Sequence, residues 1–165
     1  MKALTLWQPH AGLISLGLKT IETRGWRTNY RGPLAIHAGR SFDHEYWGAA
    51  TSDGWIPYHH SDQVPELTVR GVFLCVVDVV EVRPMVESDE EPACCSCPPP
   101  GAETRYAWVL GNVRRCDPAI PAVGHQGLWD TDLIDVDGKR YSACLSTPTV
   151  VTPPADPRQV RIPGT

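Results

Sequence analysis

The sequence predicts a mixed α+β fold built on a small β-barrel with short helices at its ends. Three observations carry this. Apolar or alternating runs of strand length recur along the chain, while helix-like runs are few and short. Glycine and proline, 14 and 16 of 165 residues, punctuate those runs. No regular strand–helix–strand alternation is present, which argues against a doubly wound sheet.

The elements follow in order. Residues 3–7 read as a first strand, Leu4 and Leu6 alternating with Ala3, Thr5 and Trp7. Pro9 suits the first turn of a helix, residues 10–16 continue it, and Gly17 ends it. Residues 20–24 form a short strand, followed by an aromatic and basic loop holding Trp26, Arg27, Tyr30 and Arg31. Residues 33–38 are a second apolar strand, with Leu34, Ile36 and Ala38 on one face and Ala35 and His37 on the other. Residues 43–50 suit a short helix with Ser41 as its N-cap. The polar stretch 51–66, with Trp55, Tyr58, His59 and His60, is irregular and has room for one more short helix.

Residues 71–82 are the strongest strand, nearly all apolar or β-branched and long enough to be central or to bend around a barrel. Asp78 is the one charge in its apolar run, and needs a basic partner, a strand bend or the cleft. Residues 83–104 are an acidic insertion rich in cysteine and proline, expected as a surface excursion. Residues 105–116 return to strand, 117–121 are turn-like, and 124–129 form a glycine-flanked aromatic motif. Residues 139–145 suit a further strand. The expected organisation is one domain over 1–146, interrupted by the insertion, and a proline-rich tail over 147–165.

Charge is unevenly spread. Residues 1–40 hold six basic residues against one acidic, 41–104 two against twelve, and 105–165 seven against six. This distribution is a poor match to long duplex, which takes many phosphate contacts, but suits a nucleotide or a short strand at the basic N-terminal quarter. No run of about 18 apolar residues offers a membrane span, and the N-terminal apolar run is too short for a secretion signal. A cytoplasmic protein is expected, with no membrane partner. Its six cysteines are then read as thiols rather than a disulfide framework. Cys94-Cys95-Ser96-Cys97 lacks paired Cys-x-x-Cys knuckles, so no metal and no cofactor is expected.

The chemistry concentrates in Gly17-Leu18-Lys19-Thr20-Ile21-Glu22-Thr23-Arg24. Glu22 and Arg24 share a face of the short strand, and Lys19 precedes them. Such a segment is either a solvated strand face with a weak ion pair or the lining of a polar pocket. Lys19 and Arg24 suit phosphate or carbonyl groups, and Glu22 suits an exocyclic amine such as cytosine N4. Trp7 and Trp26 offer faces on which a base stacks, or else pack in the core; stacking is worth roughly 1–3 kcal/mol per base. His37 is a buried histidine or a base at the cleft, and Gln126 with Trp129 closes the cleft floor or plugs a loop.

Trp7-Gln8-Pro9, Gly17-x-Lys19-x-x-Glu22-x-Arg24 and the segment Tyr30-Arg31-Gly32-Pro33-Leu34-Ala35-Ile36-His37-Ala38 together resemble the ASCH family, the activating-signal-cointegrator homology domain. Gly124-x-Gln126-Gly127-Leu128-Trp129 is similar to a C-terminal element of the same subfamily. The resemblance is strongest over residues 3–40. It implies a PUA-like barrel whose cleft, lined by the Gly-x-Lys-x-x-Glu-x-Arg motif, takes RNA, a nucleotide or a modified nucleoside. One branch of the family removes the acyl group from N4-acetylcytidine with a lysine and a threonine; Lys19 matches the lysine, and Glu22 stands at the threonine position.

The leading expectation is a nucleic-acid-binding module with Lys19, Glu22 and Arg24 as its ligand site and Trp7, Trp26, His37 and Gln126 around them. The alternative is a hydrolase, an N4-acylcytidine amidohydrolase or a ribonuclease, with Lys19 and Glu22 as its acid/base pair. A third reading is a protein-interaction module acting through the acidic segment 87–104.

Overall fold

The computed structural model describes residues 1–56 and 64–132. Tyr58, His59 and His60, the strand expected at 139–145, Cys144 and the tail expected at 147–165 lie outside these residues.

Six strands share one sheet: β1 (Lys2–Gln8), β2 (Ile21–Arg24), β3 (Gly32–Phe42), β4 (Val72–Pro84), β5 (Tyr106–Pro121) and β6 (Leu128–Asp130). Their order is β2-β5-β4-β3-β1-β6. Among these strands β1 and β3 run parallel, and the other neighbours are antiparallel. The apolar run at Val72–Val79 lies in the middle of the sheet, where both its faces are covered. Asp78 on β4 is held by Arg114 Nη2 at 2.8 Å and Asn112 Nδ2 at 2.9 Å, so it has the basic partner it needs.

The fold is mixed α+β as expected, but the sheet is not closed into a barrel among the described residues: β2 and β6 stand at its two ends. It is nevertheless rolled. Leu4 and Leu6 of β1 share a buried cluster with Trp108 and Leu110 of β5, three places away in strand order. Register shifts between Phe73/Cys75, Val76/Asp78 and Val79/Glu81 insert extra residues along the β4–β5 ladder, and such bulges sharpen strand twist and bend.

Four short helices decorate the sheet: α1 (His10–Ser15), α2 (His44–Ser52), α3 (Pro65–Thr68) and α4 (Glu90–Ala93). Gly17 ends the first helical segment with a φ of 74°, a left-handed conformation glycine takes without a Cβ clash. Buried Gln8 ties β1 to α1 and α3: its Nε2 donates to Glu66 O and Val69 O, both at 2.8 Å, and its Oε1 accepts from Gly12 N at 2.9 Å. Gly12 allows this approach, since a Cβ there would lie 2.4 Å from Glu66 O.

Three local expectations are corrected. The N-cap of α2 is Asp43 rather than Ser41, its Oδ1 accepting from Tyr46 N at 2.9 Å; β3 runs through Ser41. Residues 117–121 continue β5 instead of turning, because β4 still offers ladder partners there, with Phe73 opposite Ile120 and Val72 opposite Pro121. The insertion is also more than a surface excursion. Asp89, Ala93 and Cys94 are buried. Asp89 accepts both Arg83 nitrogens at 2.6 and 2.7 Å and caps Val86 N at 2.9 Å, and this pins the segment to the end of β4.

Candidate functional site

A cleft of about 630 Å³ opens where β1, β2, the first turn of α2 and the insertion meet. The rolling of the sheet is what brings β1 and β2 to the same opening. Trp7 comes from β1, His10 from the start of α1, Glu22 and Arg24 from β2, and Asp43 and Tyr46 from α2 and its cap. Lys19, Trp26, Cys95 and Arg105 come from the connecting segments.

Lys19 and Glu22 are nearly enclosed, at 3% and 6% exposure. The Lys19 ammonium donates to Ala93 O at 2.5 Å and lies 3.7 Å from Glu22 Oε2. On the other side of the carboxylate, Arg24 Nε is 3.1 Å from Glu22 Oε1. That contact is an ion pair without hydrogen-bond alignment, since Arg24 Nε has no hydrogen-bond partner. Glu22 thus sits between two cations, an arrangement that offsets the cost of removing the Lys19 and Glu22 charges from water.

The insertion supplies the wall that orders this array. Ala93 and Cys94 stand at the C-terminal end of α4, where backbone carbonyls lack intrahelical donors. Lys19 fills one of these carbonyls. The Tyr46 hydroxyl fills the next by donating to Cys94 O at 2.9 Å. Burial holds that hydroxyl far above the ordinary tyrosine range, so it remains a donor. Cys94 turns through a φ of 51°, and its thiol donates to Leu18 O at 3.5 Å. Burial pushes this thiol up to about 11.

His10 and Asp43 line the cleft beside this array, His10 Nε2 standing 3.7 Å from Asp43 Oδ2. The His10 ring lies 4.1 Å from the Tyr46 ring, centroid to centroid. Burial first, then the nearby Lys19 charge, lowers the His10 pKa and favours neutral imidazole. With His10 neutral, Lys19, Arg24 and Arg105 face Glu22 and Asp43, which leaves the lining one positive charge in excess. Trp7 rises from the rim at 58% exposure. Trp26, at 39%, is anchored edge-on against Trp108 with centroids 4.8 Å apart.

Five of the seven residues expected from sequence therefore share one cleft: Lys19, Glu22, Arg24, Trp7 and Trp26. His37 and Gln126 do not line it. His37 is buried on the other side of Thr5, its Nε2 meeting Ala122 O at 3.1 Å, and Gln126 is exposed. Trp129 packs near His37 and Phe73 and donates to Thr5 Oγ1 at 3.2 Å instead of flooring the cleft. The sequence pattern does not point to His10, Asp43, Tyr46, Cys95 or Arg105. The one signal for any of them is that His10 follows Trp7-Gln8-Pro9 directly. Among the described residues no group of three or more His, Cys, Asp or Glu could hold a metal ion.

A family model for the ASCH domain matches residues 4–119, a span that contains every residue lining this cleft. The chain belongs to the ASCH domain family. Among solved structures it is similar to the ASCH protein of Zymomonas mobilis, at 15% identity and a TM-score of 0.48 over 73% of this chain and 72% of that one. It is also similar to a tyrosine-to-phenylalanine mutant of that protein, at 14% identity and a TM-score of 0.44 over 73% and 74% of the two chains. No curated protein matches. In this ASCH domain the Gly-x-Lys-x-x-Glu-x-Arg segment runs from a helix-ending glycine into edge strand β2, and so carries its charges into the cleft.

Proposed function

We propose that this ASCH domain binds RNA, or a nucleotide or modified base, in the cleft lined by Lys19, Glu22, Arg24, Trp7 and Trp26. The observation that carries the reading is the buried Lys19–Glu22 pair, with partly exposed Arg24 on its carboxylate, in a cleft also lined by two exposed indoles. A solvated strand face would leave those charges in water, whereas here their burial is supported by a backbone carbonyl brought from 74 residues away.

The chemistry suits a base more than a plain anion. Glu22 presents carboxylate oxygens to an exocyclic amine. Arg24 keeps guanidinium nitrogens beyond its Nε contact for a carbonyl edge or a phosphate, and Arg105 adds a second cation at the rim. Trp7 and Trp26 present ring faces for stacking. A thermal-shift screen of modified nucleosides, mononucleotides and short single-stranded RNA tests this, because a ligand raises the melting temperature by mass action whether or not it is turned over. Stabilisation that disappears in Arg24→Ala supports the reading. No shift with any of these ligands contradicts it.

A hydrolase reading has one observation behind it: an ammonium and a carboxylate 3.7 Å apart in an enclosed cleft wall, within range for proton exchange through a substrate. Turnover of N4-acetylcytidine or single-stranded RNA that is abolished in Lys19→Met would favour it over binding alone.

A further inference from the structure

A second cleft of about 720 Å³ adjoins the first. Thr5 lines both. The second cleft is lined by Arg40, Arg70, His37 and a loop through Gly124, with Gly39 and Gly71 between. Among the described residues no carboxylate lines it.

The two arginines are exposed and line the same cleft. Arg70 Nη1 donates to Arg40 O at 3.3 Å, and its guanidinium lies 5.7 Å from the Phe42 ring centroid. Arg24, Arg83, Arg114 and Arg115 each meet a carboxylate, whereas Arg27, Arg31 and Arg105 meet none among the described residues. Arg40 and Arg70 also meet none among the described residues. Two cations lining one cleft without a carboxylate give it a positive potential that favours a bound anion. Phe42 and the Arg40 carbonyl fix the Arg70 head, so little side-chain entropy is given up when an anion arrives.

Glycines let neighbouring backbone pack closely around Thr5 and His37. A Cβ at Gly39 would lie 3.2 Å from Leu6 O and from Thr5 Cγ2, and one at Gly124 would lie 2.5 Å from the His37 ring and 2.7 Å from Thr5 Oγ1. Thr5 and Trp7 are two residues apart on β1, about 6–7 Å at strand rise, and point to one face. A strand with a base stacked on Trp7 can therefore reach the arginine pair by passing Thr5, which lines both clefts.

We infer that the arginine pair Arg40 and Arg70 is a phosphodiester site, and that the ligand is a single RNA strand crossing Thr5 from the base cleft. This rests on the reading of the first cleft as a base site. It makes the ligand at least a dinucleotide and predicts that affinity rises with the phosphate beyond the bound base.

The test is fluorescence anisotropy with a nucleoside competitor and labelled single-stranded RNAs of two to eight nucleotides, using wild type and the Arg40→Gln/Arg70→Gln double variant. Both side chains are exposed, so the variant retains the fold. The expected result is RNA affinity weakened about tenfold or more, with a salt slope shallower by about 0.7 for each phosphate that is no longer neutralised. The affinity of the unphosphorylated nucleoside stays unchanged. Arg40→Lys/Arg70→Lys recovers part of the RNA affinity through charge alone. If the double variant binds RNA as tightly as wild type with the same salt slope, the second site is wrong and the base cleft stands. If wild type binds neither nucleoside nor RNA, both fall.

Discussion

The Lys19 ammonium donates to the backbone oxygen of Ala93 at 2.5 Å. This bond joins the charged motif at the start of the chain to an insertion whose composition gives no hint of a core. Thr20 N donates to Pro92 O at 2.9 Å beside it, so the insertion and the motif hold each other in place.

Removing residues 87–104 will therefore destroy ligand binding and lower stability together. The buried Lys19 ammonium and the Tyr46 hydroxyl would be deprived of their acceptors, at about 1–3 kcal/mol for each buried donor left unpaired. Thermal melting and the ligand screen on a short-linker replacement check this. A role confined to protein partners predicts the opposite, with the cleft intact after deletion.

Within the array, cost should follow burial. Lys19→Met and Glu22→Gln each strand a buried charge or carbonyl and are expected to destabilise by about 3 kcal/mol, within the range for breaking a buried pair. Arg24→Ala removes a partner that reaches solvent and should cost about 1 kcal/mol or less. Urea denaturation of the three variants gives the ranking.

The two indoles separate binding from folding. Trp7→Ala removes an exposed ring and is expected to weaken ligand binding by about 1–3 kcal/mol, with melting unchanged. Trp26→Ala also removes the edge contact to Trp108, and should lower both affinity and melting temperature.

Stability should fall on mild acidification. His10 and His37 both have folded pKa values lowered by burial, below the ordinary histidine value of 6.5. The unfolded chain then binds more protons between the folded and unfolded values, so the stability these residues contribute is complete above pH 6.5 and is lost as pH drops through the folded values. Melting temperature measured from pH 8 to pH 5 is expected to decline below 6.5, and the decline should be shallower in His10→Gln.

Much of this is legible in the sequence. The alternation in β1 and β3, the all-apolar β4 and the helix-ending Gly17 each follow from local pattern, and the Lys19–Glu22–Arg24 spacing puts three charges at one site. What is not legible depends on where strands meet. His37 reads as either a buried histidine or a base at the cleft; it is buried, and the parallel pairing of Thr5 with His37 puts it beyond β1 from the motif. Asp43 and Tyr46 reach the cleft because α2 starts where β3 ends, and Asp43 N donates to Gln8 O at 2.6 Å across the sheet. Cys95 is there because Arg83 and Asp89 fold the insertion back on itself. No local pattern records such contacts, which join residues far apart in the chain.

The most direct test of the cleft is a binding titration of short single-stranded RNA and modified nucleosides against wild type and Arg24→Ala, since Arg24 touches the array while contributing least to its burial. Saturable binding by wild type, weakened about tenfold or more by Arg24→Ala as expected for a charge-assisted contact, is the predicted result. Equal binding by the two proteins, or none by either, would contradict a ligand site at Lys19, Glu22 and Arg24.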